Sequence, residues 1–295
     1  MNPLSHHIIA ASLTDAFVQA AQLVYHSPDF TVSPRGHETR EAVSVLIEIT
    51  DPRQRVIEHP ARRFSLRYAV AEWLWYQRSS NRLDEIAHYA KFWESVSDDG
   101  EAVNSAYGYR LTGRHPAAPV NQWQYVVDEL TRDRASRRAV ALIALPADMT
   151  APTKDFPCTL VLQFMIRGNQ LHVSVHMRSN DLVWGFTNDV FAFTMMQEYL
   201  LAQLQGVYPE LTLGRYWHYA GSLHAYDRHF GMLEEVSANP PARSPLQLAP
   251  LSHPNELPAL QHNELVMRTG RGQLKPLTGR LWQQFQAALQ SDSHG

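Results

Sequence analysis

A single cysteine, Cys158, in 295 residues rules out an internal disulfide and leaves no second thiolate for a zinc site. That residue is either a packed thiol or a reactive one. Long apolar runs are missing as well. None approaches the roughly 20 residues needed to cross a bilayer, and Met1–Ala11 has neither a basic start nor a long apolar centre. A cytoplasmic protein is expected. Excess charge of one sign is absent too: the formal net charge is -3, so no basic field exists to hold a nucleic-acid backbone, and polynucleotide binding is disfavoured as the main task. No internal repeat is visible. With 44% hydrophobic residues the chain can bury one large core, and a single domain over 1–295 is expected.

What is present reads as strands separated by long helices. Ser12–His26 has helical apolar spacing, with Ser12 or Thr14 able to cap it. A polar loop carrying Arg35 and Arg40 leads into an alternating strand, Val43–Ile49; a solvated charge is the plain reading of each arginine. Arg67–Arg78 forms a broad apolar helical face with Glu72 among its members, an uncommon place for an unpartnered carboxylate. Trp93 and Tyr107 flank a turn containing Asp98, Asp99 and Gly100, and aromatics there usually serve the core. A helix over Asn121–Arg132 precedes a strand over Arg138–Leu145, at whose start Arg137 and Arg138 point to opposite faces. Thr159–Met177 reads as a hairpin around Gly168 and Asn169, and Val190–Leu204 as a buried helix. His224 and Tyr226, two apart, share a face if extended. After about Val236 the chain is proline-rich, an extended cover or linker over 237–295 that ends in a short helix, Arg280–Leu289.

The densest chemistry lies in Ser174–Phe193, SVHMRSNDLVWGFTNDVFAF. A strand running into a helix start there sets Arg178 and Ser179 to grip a phosphate, since an arginine fork and backbone N–H groups suit the same anion. Asp181 and Asp189 then face whatever carries that phosphate. Spacing alone goes no further than a phosphorylated small molecule.

The run MRSNDLVWGFTND, together with FPCTLVLQF around Cys158, DRASRRAV, NSAYGYR and GSLHAYDRHF in that setting, resembles the thymidylate synthase family, and within it the cytidylate 5-hydroxymethylases. The resemblance covers roughly Phe64 to Phe230. It implies an α+β fold with a large twisted mixed sheet flanked by helices, and an obligate homodimer packed sheet against sheet. It further implies that Cys158 adds to C6 of a pyrimidine 5′-monophosphate. Glu72 would then move protons through water, with Tyr107 near the cysteine. Trp93 would sit beside folate and pyrimidine, and Asp181 would meet the pterin N–H groups. The phosphate would be held by Arg178 and Ser179, by Arg137 and Arg138 from the other subunit, and by a loop arginine, Arg35 before Arg40. His224 and Tyr226 would bind the sugar hydroxyl. The one-carbon donor implied is 5,10-methylenetetrahydrofolate, with no metal. The nearby arginine and the phosphate-binding field are expected to favour the ionised thiol.

Aligned this way, Asp189 stands where thymidylate synthases have asparagine. Uracil offers a donor at N3 and an acceptor at O4, and cytosine offers the reverse. A protonated carboxyl, or a carboxylate against a ring protonated at N3, matches cytosine; a helix cap is the structural alternative for Asp189. Thr159 in place of a histidine, Val96 in place of a second tryptophan, and the end QSDSHG in place of an apolar tail all suit a wetter pocket. The expected reaction is therefore hydroxymethylation of dCMP or CMP, with water quenching the one-carbon unit. A thymidylate synthase, a dUMP or UMP hydroxymethylase and a non-catalytic nucleotide-binding paralogue are the alternatives.

Overall fold

The computed structural model describes residues 5–239 and 248–291. One mixed sheet contains β1 (His6–Ala10), β2 (Phe30–Val32), β3 (Thr39–Ile49), β4 (Val140–Leu142), β5 (Thr159–Arg167), β6 (Gln170–Met177), β7 (Asn180–Asp181) and β8 (Thr212–Tyr226). The strand order is β1-β3-β8-β6-β5-β4, with β2 added to β3 and β7 to β8. β1 runs parallel to β3 and β6 parallel to β8, while β3–β8, β5–β6 and β4–β5 are antiparallel. The helices are α1 (Leu13–His26), α2 (Leu66–Gln77), α3 (Leu83–Ala87), α4 (Phe92–Val96), α5 (Tyr107–Leu111), α6 (Gln122–Arg132), α7 (Gly185–Leu204), α8 (Phe230–Ala238), α9 (Leu257–Thr269) and α10 (Arg280–Gln290). Among the described residues, no helix is long and apolar enough to cross a membrane.

The core forms where α1 and α7 lie on the sheet and α2 lies on α7. Along β8 the period of two buries Tyr216, His218 and Ala220 and leaves Trp217 and Tyr219 half-exposed on the other face. α7 is buried nearly all round, so its polar residues need internal partners. Thr194 donates to the Val190 carbonyl at 2.6 Å and Gln197 to that of Leu171 at 2.8 Å. Glu198 is paired with the buried Arg55 and with Arg53.

Several boundaries differ from those the residue pattern suggested, each for a local reason. α1 starts where expected, with the Ser12 hydroxyl accepting from the Asp15 N–H. β3 begins at Thr39, four residues early, because its polar first half still pairs with β8 from Thr39↔Tyr226 onward. β4 stops at Leu142, ahead of the 3-10 turn that Pro146 opens over Pro146–Met149, and it starts only at Val140, so Arg137 and Arg138 precede the strand and do not start it. The proline-rich extension holds the unforeseen α9, whose helical stripe is broken by Asn263 and Glu264, both fully buried. Internal partners explain them: Asn263 bonds both the carbonyl and the N–H of Lys275, and Glu264 accepts from Arg78, Tyr89 and Arg268. α10 then lays Trp282 on Trp73 of α2, with ring centroids 5.8 Å apart and planes 21° apart. Residues 240–247 of the proline-rich stretch and the last four residues lie outside the described residues.

Candidate active site

α2 carries Tyr68, Glu72 and Tyr76 four residues apart, hence on one face. The helix starts at Leu66, where the Ser65 hydroxyl accepts from the Tyr68 N–H at 3.2 Å. Glu72 is 5% exposed. The Tyr68 hydroxyl donates to its Oε1 at 2.8 Å, Tyr76 lies close on the same face, and the Trp93 indole donates to the Tyr68 hydroxyl at 3.0 Å. Burial outweighs those bonds and pushes the carboxyl up to about 7, so it exchanges a proton near neutrality. α5 sits directly on α2 because residue 108 is glycine: a Cβ there would land on the Tyr76 carbonyl. That contact brings the Tyr107 ring to 5.3 Å from Tyr76 and stacks it on Phe193 of α7 at 5.8 Å.

Cys158 precedes β5 and Arg178 follows β6, so the hairpin register sets them side by side, with the Arg178 N–H donating to the Cys158 carbonyl at 2.9 Å. The arginine's Nη2 lies 3.7 Å from Sγ. Its side chain also donates to the carbonyls of Pro157 at 3.0 Å and Phe156 at 2.9 Å, and lies over the Phe156 ring. The expectation of a ready thiolate is corrected here. Burial pushes the thiol up to about 11, with Asp189, Asp155 and Asp181 adding to the effect and Arg178 only partly opposing it. Tyr107 lies beside Thr159, the residue after the cysteine, whose hydroxyl is bonded to the Met177 sulfur at 3.0 Å. Ser179 is half-buried beside Arg178.

Asp189 is not a helix cap. α7 begins at Gly185, after Trp184, which places Asp189 in its second turn. The apolar run did not reveal this start, because Gly185 and the polar pair Thr187 and Asn188 read as loop. Asn188 instead donates to the Trp184 carbonyl at 2.9 Å, and Thr187 to that of Val183. The Asn180 amide donates to Asp189 Oδ2 at 2.9 Å. Burial first, and then the Glu72 charge, push Asp189 up to about 8. Asp181 accepts from the N–H groups of Val183 at 2.7 Å and Trp184 at 3.3 Å through one oxygen, leaving the other for a ligand. Its register partner on β8 is His224, which burial holds below the usual histidine range and whose ring meets Tyr226 edge-on at 5.3 Å.

The arginines assigned to phosphate divide. Arg40 is spent inside the fold: it donates to the Tyr25 carbonyl at 2.6 Å and lies between the rings of Tyr25 and Phe230 at 4.5 and 4.4 Å. The backbone of Arg35 lies in the turn Pro34–Gly36; its side chain lies outside the described residues. Arg137 and Arg138 are exposed, and their guanidinium groups form no hydrogen bond among the described residues. The Arg137 carbonyl accepts from Gln163, five residues along β5 from Cys158, about 16 Å at the rise of an extended strand. Both arginines thus stand away from their own chain's cysteine.

Some site residues were not foreseen. Tyr68 could have been read from its i, i+4 spacing to Glu72. Arg62 is buried, donating to the Val183 carbonyl and Thr187 hydroxyl, each at 2.9 Å, and lying over the Trp184 ring. Asn180, His218 and Tyr216 line up behind Asp189; nothing in their spacing announces this, since β7 joins β8 only in the folded sheet.

The chain matches the family model described as thymidylate synthase over residues 33–288. It is 32% identical to a deoxyuridylate hydroxymethyltransferase of Bacillus phage SP01 over 68% of this chain and 54% of that protein, so it spans about half that relative's length. It is 27% identical to a deoxycytidylate 5-hydroxymethyltransferase of Enterobacteria phage T6 over 72% and 85% of the two chains. A solved thermostable thymidylate synthase A from Bacillus subtilis superposes with a TM-score of 0.64 at 22% identity, covering 79% of this chain and 87% of that one.

Proposed function

The chain belongs to the thymidylate synthase family, and from that premise we propose that it transfers a hydroxymethyl group to C5 of a cytidine 5′-monophosphate, dCMP or CMP. The observation that carries this reading is Asp189: a carboxyl held at about 8 is neutral at pH 7, so it offers the base one donor and one acceptor. Cytosine, with an acceptor at N3 and a donor at N4, is complementary to that pair when the proton sits on the oxygen facing N3.

In this reading Cys158 adds to C6 and shifts the ring's electron pair to C5, which attacks the one-carbon unit. The thiol's proton must leave as the bond forms, since burial keeps it on sulfur in the free chain. Glu72, near 7, takes the proton from C5 and lends protons to the base edge through water. Tyr107 closes the pocket beside the sulfur. 5,10-Methylenetetrahydrofolate supplies the one-carbon unit as cosubstrate. The residues present suit a flat heterocycle rich in N–H groups: Trp93 offers a ring, and Asp181 an uncommitted carboxylate oxygen. Loss of the C5 proton releases tetrahydrofolate and leaves an exocyclic methylene; water adds to that carbon, and Cys158 departs from C6 as the C5–C6 double bond re-forms. Arg178 and Ser179 hold the phosphate from one side, joined by Arg35, and His224 with Tyr226 hold the sugar hydroxyl. Arg137 and Arg138 serve the site of a second subunit, which requires a homodimer. The aromatic row on the outer face of the sheet, with His176 exposed, Trp217 and Tyr219 half-exposed and His172 buried against Trp217, supports that pairing.

The test is incubation with methylenetetrahydrofolate and each of CMP, dCMP, UMP and dUMP, reading nucleotide mass and dihydrofolate absorbance. A cytidylate gaining CH2O with no dihydrofolate is expected. A methylated uridylate with dihydrofolate, or hydroxymethylation of uridylate alone, would replace this reading with one of its neighbours, the second favoured by the similarity to the SP01 phage protein.

A further inference from the structure

A protonated carboxyl alone does not separate cytosine from uracil. Donor and acceptor also match uracil once they are exchanged, with the donor at O4 and the acceptor at N3–H. The base is chosen by which oxygen of Asp189 carries the proton. We propose that Asn180, held in place by His218 and Tyr216, fixes that proton on Oδ1 and that Oδ1 is the oxygen facing N3 of the base, which together select cytosine. This rests on the reading of Asp189 given above.

The placement of the Asn180 amide sets the direction of the hydrogen bonds behind Asp189. A carboxamide oxygen accepts and never donates, so His218 Nε2, 2.9 Å from Asn180 Oδ1, must carry a hydrogen. Burial drives His218 down to about 3, so the ring is neutral and its Nδ1 is bare. The Tyr216 hydroxyl, 2.8 Å away, therefore donates to it. With its oxygen engaged by His218, the Asn180 amide is oriented so that Nδ2 donates to Asp189 Oδ2 at 2.9 Å. Oδ2 thus faces a donor and stays unprotonated. Oδ1 has no hydrogen bond within the chain among the described residues, and takes the proton toward the ligand.

The line is sealed and tightly fitted. Tyr216 and His218 are wholly buried and Asn180 is 2% exposed, so no bulk water competes with these bonds. Gly185 makes the close approach possible. A Cβ there would meet Asn180 Nδ2 at 2.8 Å and Asp189 Oδ2 at 3.6 Å. Reversing the amide would require three changes together: the Asp189 proton moved to Oδ2, the His218 hydrogen moved from Nε2 to Nδ1, and the Tyr216 hydroxyl turned to accept. Asn180 is a positioning residue; it need not touch the substrate.

The experiment measures kcat/KM for dCMP and dUMP in the intact enzyme and in Asn180→Asp, Gly185→Ala and Asp189→Asn, and in the double variant Asn180→Asp/Asp189→Asn. Asn180→Asp keeps the shape and the acceptor for His218 but replaces the fixed amide donor with a carboxyl whose proton can pass between the two acids, so Oδ2 is no longer held unprotonated. The dCMP to dUMP ratio is expected to fall by about ten- to a hundredfold, chiefly through KM for dCMP. Gly185→Ala disturbs the same bond without altering Asn180 and should shift the ratio in the same direction. Because Asn180 acts through Asp189, adding Asn180→Asp to Asp189→Asn should leave the ratio within about twofold of Asp189→Asn alone. A ratio held within about twofold in both Asn180→Asp and Gly185→Ala, while Asp189→Asn changes it, overturns the proposal. So does an equal fall on the Asp189→Asn background, which would mean that Asn180 acts elsewhere. No preference for dCMP in the parent, or none lost in Asp189→Asn, instead refutes the reading on which the proposal stands.

Discussion

Glu72→Gln should make the ligand-free protein more stable at alkaline pH while removing turnover. The carboxyl moves from an ordinary 4.5 to about 7 in the fold because it is buried, a difference of about 3.4 kcal/mol between its two protonation states. The sign follows from which state binds more protons. Between these values the folded protein keeps a proton that the unfolded chain has released, so this contribution is whole below about pH 4.5 and is lost as pH rises through about 7. Glutamine keeps an acceptor oxygen for the 2.8 Å bond from Tyr68 but has nothing to ionise. Urea unfolding at fixed protein concentration, at pH 5 and pH 8, should show wild type losing about 2.5 kcal/mol more than the variant over that interval. Parallel stability curves for the two proteins would refute the argument, for they would mean that the buried carboxylate is solvated after all. Such a trade of stability for a proton carrier is what a working acid or base in a dry site entails.

Three further outcomes are expected. Alkylation of Cys158 by iodoacetamide in the ligand-free protein should be slow at pH 7 and rise about tenfold per pH unit toward about 11; intact mass will show one adduct, and a plateau below pH 9 would contradict the burial argument. Tyr68→Phe removes a bond that lowers the Glu72 pKa and unties Trp93, so kcat should fall by about tenfold and the ascending limb of the pH–rate profile should move to higher pH, as read by steady-state kinetics across that range. Trp282→Ala empties a fully buried place against Trp73 and Phe285 and should cost about 3–5 kcal/mol in denaturant unfolding, where an appended linker helix would cost almost nothing.

Much of this arrangement was legible in the residues because it rests on periodicity. The hairpin around Gly168 and Asn169, the capped first helix and the Glu72 face of α2 are all patterns of two or of 3.6, and the fold confirms them. The extra first turn of α7 was hidden because Gly185 and Asn188 are loop formers that packing overrides. α9 was hidden because its buried Asn263 and Glu264 break the stripe, their partners lying on distant segments. The cysteine's raised pKa depends on how deeply the fold encloses it, which no local pattern encodes. The line from Tyr216 to Asp189 joins residues of β7, β8 and α7, and such an alignment exists only in three dimensions.

A library randomised at position 108 should return glycine alone among active clones. The smallest side chain there would have to push α5 off the backbone of α2 by about the width of an atom, and the phenol beside the sulfur would swing away from the helix that bears the proton carrier. The spacing between the Tyr107 phenol and the helix that bears Glu72 is thus governed by a methyl group that the chain cannot accept.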